Sequence, residues 1–93
     1  MTATTIEKPR LATGVRLAFD KVRDRHILLY PEGVVTLNET AVAVLELCDG
    51  ERTIGDIAAQ LGSQFQENPD LRADVEQLIG AIAARGLVID AAR

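Results

Sequence analysis

A chain of 93 residues, 47% of them apolar, can close a single hydrophobic core without external staples. Its lone cysteine, Cys48, excludes an internal disulfide, and with only one histidine no Cys/His zinc cage can be assembled. The net charge of −4 is unevenly laid: residues 1–29 carry +3 and residues 30–93 carry −7, which argues against an extended phosphate-binding surface.

The opening MTATTIEKPR lacks the apolar segment of a secretory signal, and no apolar run approaches the ~20 residues of a membrane span. Together with the single thiol, this leads us to expect a soluble, cytoplasmic protein that does not associate with membrane. Residues 1–9 show no periodicity and read as a flexible tail ahead of one domain over residues 10–93.

From there the chain alternates. Val15, Leu17 and Phe19 share one parity and Arg16, Ala18 and Asp20 the other, the pattern of a half-buried strand. After the charged Lys21–Arg25 connection, His26–Tyr30 reads as a second strand, apolar on both parities and so covered on both faces. Pro31-Glu32-Gly33 reads as a tight turn, with Gly33 expected in a left-handed conformation. Val34–Leu37, rich in β-branched residues, is the third strand of an antiparallel meander whose sheet must have two edges, one of them expected to be open.

The period changes at Asn38, a suitable helix cap, and Ala41, Val44, Leu45 and Cys48 recur at helical spacing before a stop at Gly50. Thr53 followed by Asp56 resembles a capping box, and Ile57, Leu61 and Phe65 outline a second helix. Asn68-Pro69 can open a third, with Leu71, Val75, Leu78 and Ile82 as its core stripe and Arg72, Glu76 and Ile79 toward a neighbouring face. Gly86 ends that helix, and Leu87–Ile89 reads as a short terminal strand. The expected fold is α+β and winged helix-turn-helix-like: a three-stranded antiparallel sheet, three helices and a short terminal strand.

No group of residues forms a self-sufficient catalytic or metal site. His26 lies inside an apolar strand without a carboxylate-and-nucleophile constellation, so it reads as a structural or surface residue. Cys48 falls on the apolar face of its helix, whereas a reactive thiol needs exposure and a positive neighbourhood. Asp70, Asp74 and Glu76 form a solvated acidic face, and the glycines make no phosphate-cradling loop. Three helices and a wing invite a DNA-binding reading, yet the third helix sets only Arg72 and Arg85 against those three carboxylates, so no nucleic-acid partner is expected.

Several ordered blocks carry a family resemblance. They are PRLATGVRLAFDKVRDRHILLYPEGVVTLNETA, then LCDG with Thr53 and Ile57, then Asp74-Val75 with Leu78 and the closing RGLV. Over residues 9–90 the chain resembles the pyrroloquinoline quinone (PQQ) biosynthesis protein D family, PqqD, departing at Thr13, where members often have proline before the glycine. The resemblance implies a peptide chaperone, not an enzyme and without a cofactor. It would bind the ribosomal precursor peptide PqqA and present it to the radical S-adenosylmethionine enzyme PqqE; a related recognition domain for another modified peptide is the alternative. It further implies that a leader peptide adds a strand to the sheet beside a helix. The implied peptide contacts are Val34, Val35, Thr36 and Leu37 with Arg72, Val75, Glu76 and Ile79. An open edge also permits a homodimer.

Overall fold

The computed structural model describes residues 6–65 and 69–92. Two small sheets and three helices share one core. Strands β1 (Pro9–Leu11) and β5 (Val88–Asp90) pair antiparallel, and β2 (Arg16–Asp20), β3 (Arg25–Tyr30) and β4 (Gly33–Leu37) form an antiparallel sheet in that order. Helices α1 (Glu39–Glu46), α2 (Ile54–Leu61) and α3 (Leu71–Ala84) follow the meander. The expected α+β, winged-helix-like order is therefore present.

The meander forms where alternation and turn chemistry agree. Asp20 closes the β2–β3 connection by accepting from the Val22 and Arg23 amides, at 3.1 and 3.2 Å, and Asp24 takes the left-handed conformation that Asp tolerates. Leu17, Leu28 and Val35 stand opposite one another on the core face, and Leu28 is fully buried. On the other face Ile27 is also buried, between Ala18 and Thr36, so both parities of β3 are covered. Gly33 does not adopt the expected positive φ; it opens β4 opposite Tyr30, whose hydroxyl lies 3.4 Å from the position a Cβ would occupy.

Local caps set the helix ends. Asn38 Oδ1 accepts from the Ala41 amide at 2.8 Å, and Thr53 and Asp56 form the reciprocal capping box despite the shorter Asp side chain. Helix α1 stops at Glu46, earlier than the expected stop at Gly50. Gly50, at φ +84°, instead lets the chain pass Arg10 and Ala91, and its amide donates to Pro9 O at 2.9 Å. At the end of α3, the Gly86 amide donates to Ala83 O and the Leu87 amide to Ile82 O, with Gly86 at φ +78°, a Schellman motif. Of the expected Asn68-Pro69 start, Asn68 lies outside the described residues; α3 begins at Leu71.

Two further expectations are overturned by the packing. Residues 6–9 are not part of a loose tail. Pro9 is fully buried in β1, Asp90 accepts from the Glu7 and Lys8 amides at 3.1 Å each, and the Ala91 amide donates to Lys8 O at 2.8 Å. Residues 1–5 lie outside the described residues. The α3 stripe is also rotated: Leu71, Val75, Ile79 and Ile82 are buried, while Leu78 is only half-buried. Helical geometry accommodates either set of apolar positions; packing against α2 and β5 selects the one that inserts Ile79.

Candidate functional site

In the order β2-β3-β4, β4 has a neighbour on one side only. Its hairpin fixes which backbone groups are free. A two-residue loop is closed by a hydrogen-bonded pair, here Tyr30 with Gly33, and such pairs alternate along an antiparallel ladder. Gly33, Val35 and Leu37 therefore direct their amides and carbonyls to β3, and Val34 and Thr36 direct theirs outward. The side chains alternate independently: Leu37 is buried and Val35 half-buried in the core, whereas Val34 is 53% exposed and Thr36 exposed.

A groove of about 560 Å³ runs along this edge between β4, the start of α1 and one face of α3. Val35, Leu37, Ala41, Leu78, Ala81 and Ile82 supply its apolar lining. Thr36, Asn38, Thr40 and Gln77 add polar groups, and Asp74 is the one charged residue lining it among the described residues. An open backbone ladder beside an apolar trough suits an extended peptide, whose alternate side chains can enter the trough while its backbone completes the sheet.

The residues expected to act together divide between two places. Val35, Thr36 and Leu37 line this groove, and Val34 belongs to the same edge with its side chain on the opposite sheet face. Arg72, Glu76 and Ile79 instead border a larger hollow of about 870 Å³ between α2, α3 and Ile6-Glu7. Val75 is fully buried and Ile79 1% exposed, so both act in the core. Arg72 Nε and Glu76 Oε2 pair at 3.3 Å on an exposed surface, an i,i+4 contact of small energetic weight. Although the larger hollow has more room, no strand edge among the described residues borders it, so it offers a peptide no described strand to extend. Sequence reading missed Asp74, Gln77, Leu78 and Ala81 as groove residues. Their 3-and-4 spacing was legible, but Leu78 was absorbed into the core stripe.

The chemical groups outside the groove are committed elsewhere. The Cys48 thiol is buried, lies 3.4 Å from Val44 O, and is pushed up to about 12 by burial and secondarily by Asp49. Asp49 is held below the usual carboxylate range by the Glu51 and Arg52 amides and by the Arg52 guanidinium at 2.6 Å. His26 is exposed and meets Phe19 edge-on, with ring centroids 4.9 Å apart. Arg85 donates to the Tyr30 hydroxyl at 2.9 Å and sits over its ring. Among the described residues no cluster of His, Cys, Asp or Glu could hold a metal, and no helix is long and apolar enough to cross a membrane.

A winged-helix-like domain whose main feature is an open strand beside an apolar groove has the architecture of a recognition domain. The solution structure of the PqqD truncation of Methylobacterium extorquens PqqCD, a functional and stand-alone RiPP recognition element, matches with a TM-score of 0.76 and 39% identity. The match covers 92% of this chain and 96% of that one. The family model for coenzyme PQQ synthesis protein D (PqqD) matches residues 25–88, and this chain belongs to the PqqD family. The PqqA binding protein of Rahnella aquatilis is 38% identical over 85 residues, 91% of this chain and 90% of that protein. The bifunctional coenzyme PQQ synthesis protein C/D of Methylorubrum extorquens is 44% identical over 78 residues, 83% of this chain but only 21% of the larger protein.

Proposed function

We propose that this domain binds the precursor peptide PqqA as an added antiparallel strand on β4 and presents it to the radical S-adenosylmethionine enzyme PqqE. The observation that carries the reading is the free ladder of Val34 and Thr36 bordering a groove walled by Leu78, Ala81 and Ile82. The likeness to proteins named for PqqA binding supports the identity of the peptide. Backbone pairing would offset the ordering cost of a flexible peptide, and apolar side chains in the trough would supply most of the remaining affinity. The radical chemistry would belong wholly to the partner enzyme, since one buried thiol cannot hold an iron–sulfur cluster. The recognition unit of this reading spans residues 10–93 with the Lys8–Pro9 anchor. The homodimer suggested by the open edges would be compatible with it, because β4 need not be the edge that pairs.

The test compares two substitutions at one position by calorimetry against PqqA. The Thr36 amide points away from β3, so Thr36→Pro removes an edge donor while sparing the internal ladder. Thr36→Ala removes only the hydroxyl, which lies 3.5 Å from Arg25 Nη1. Folded Thr36→Pro should bind about tenfold or more weakly, combining a lost backbone bond with steric exclusion of the added strand, and Thr36→Ala should bind nearly as the parent does. Equal affinities for the two variants would refute strand addition at β4.

A further inference from the structure

The groove beside β4 is polar at one end and apolar at the other, and its contacts order the two ends along the strand. The Tyr30 hydroxyl lies over Gly33, and Arg85 donates to it, so the last turn of α3 stands at the Gly33 end of β4. From Arg85, Ala81 lies about 6 Å and Asp74 about 16 Å back along the helix. From Gly33, Val35 lies about 7 Å and Leu37 about 14 Å along the strand. Helix and strand thus run in opposite directions. Ala81 and Ile82 wall the groove level with Val35, Asp74 lines it toward Leu37 beside Asn38 and Thr40, and Leu78 lies between.

We propose that Asp74 fixes the register and direction of the bound peptide by pairing with a lysine or arginine that stands two residues before an apolar one. The inference rests on strand addition at β4. Because Val34 and Thr36 direct their backbone groups outward, peptide residues opposite them form the bonded pairs. Peptide residues opposite Leu37 and Val35 share the sheet face of those two side chains and turn toward the groove. An antiparallel strand meets Leu37 first and Val35 two residues later. Its first groove-facing side chain therefore reaches the Asp74 end. The second enters the trough over Ala41 and Ala81, whose small side chains leave room for a large apolar group.

Charge favours a cation at that first position. Asp74 is the one charged residue lining the groove among the described residues, so no basic side chain there would offset a peptide carboxylate. Its own carboxylate is exposed in the free protein and would be partly shielded from water by the added strand, where an ion pair is stronger than on an open surface. Residues 30–93, which hold the whole groove, carry −7 and draw a basic segment toward it. A parallel strand of the same sequence would carry its cation into the apolar trough, so the contact selects direction as well as register.

Calorimetry with PqqA tests it on the full chain. Asp74 is exposed, so Asp74→Asn and Asp74→Lys should both fold. Asp74→Asn should bind about threefold and Asp74→Lys about tenfold more weakly, and the affinity of the parent should fall more steeply with salt than that of Asp74→Asn. Changing each lysine and arginine of PqqA singly to glutamate should then reveal one peptide that the parent binds poorly and Asp74→Lys binds about tenfold better than the parent does. In that peptide the residue two positions later should be apolar, and its replacement by serine should weaken binding to the parent and to Asp74→Lys alike. Parent-like affinity in both Asp74 variants, no rescued charge reversal, or rescue at a cation without an apolar residue two positions on would each overturn the proposal. Amide exchange separates this failure from failure of strand addition. Val34 and Thr36 protected by PqqA in a chain indifferent to Asp74 would keep the added strand and remove only the register contact, whereas no protection in the parent would remove both.

Discussion

Replacing Leu78 and Ile79 separately by alanine distinguishes the two faces of α3, because adjacent residues here have different surroundings. Ile79 is 1% exposed in the main core, so Ile79→Ala removes a fully buried side chain and leaves a cavity, a cost of about 2–5 kcal/mol. Leu78 is half-buried on the groove wall, and Leu78→Ala should cost stability only about 1 kcal/mol. In binding the order reverses. If a peptide side chain covers the remaining half of Leu78, its loss should weaken PqqA affinity by about 1–1.5 kcal/mol, roughly tenfold. Arg72→Ala and Glu76→Ala, on the other face of the helix, should change affinity less than about twofold. Urea denaturation gives the stabilities and calorimetry the affinities. A folded Leu78→Ala that binds normally, together with an Arg72 or Glu76 variant that binds poorly, would assign the peptide to the α2–α3 hollow and refute the groove.

Three further outcomes follow from the core and turns. Because burial raises the Cys48 thiol to about 12 while the unfolded chain ionises near its ordinary value of 9.0, only the unfolded state gains charge between those pH values. Stability should therefore fall as pH rises above 9, by about 1.4 kcal/mol per unit from this group, and Cys48→Ala should show a correspondingly flatter urea-derived profile; parallel profiles would contradict it. Gly50→Ala should destabilise by about 2 kcal/mol, since it adds a Cβ at φ +84° that meets Ala91 Cβ at 3.1 Å. Gly86→Ala, in open space at φ +78°, should cost about half as much, and equal chemical-denaturation midpoints would refute the packing argument. Asn38→Ala should lose about 1 kcal/mol with the cap bond to the Ala41 amide, and unchanged thermal unfolding would show that this bond is dispensable.

The meander and the helix caps were legible because each is written in neighbouring residues: alternation in Arg16–Asp20, β-branching in Val34–Leu37, the Asn38 cap and the Thr53/Asp56 box. Strand β1 was not legible. Pro9-Arg10-Leu11 is too short to show a period, and what makes it a strand is Val88–Asp90, far away in the chain. The same non-local origin explains Gly50, whose left-handed backbone serves the approach of Arg10 and Ala91 and not the end of α1. Within the candidate site the edge was readable and the helix face was not. Leu78 and Ile79 are both apolar and 100° apart around the helix, and only the packed neighbours of α3 decide which one turns inward. The family resemblance implies the peptide and its strand-adding mode, and the structure divides the implied contact residues between the β4 groove and the α2–α3 hollow.

Amide hydrogen exchange at β4 tests the central claim most directly. The Val34 and Thr36 amides point toward the open side of the sheet and should exchange readily with solvent in the free protein, whereas those of Val35 and Leu37 are held in the ladder with β3. With saturating PqqA, the Val34 and Thr36 amides should become strongly protected while those of Leu17 and Phe19 on the opposite edge remain unchanged. Unaltered exchange at Val34 and Thr36 in a fully bound sample would contradict peptide addition to this strand.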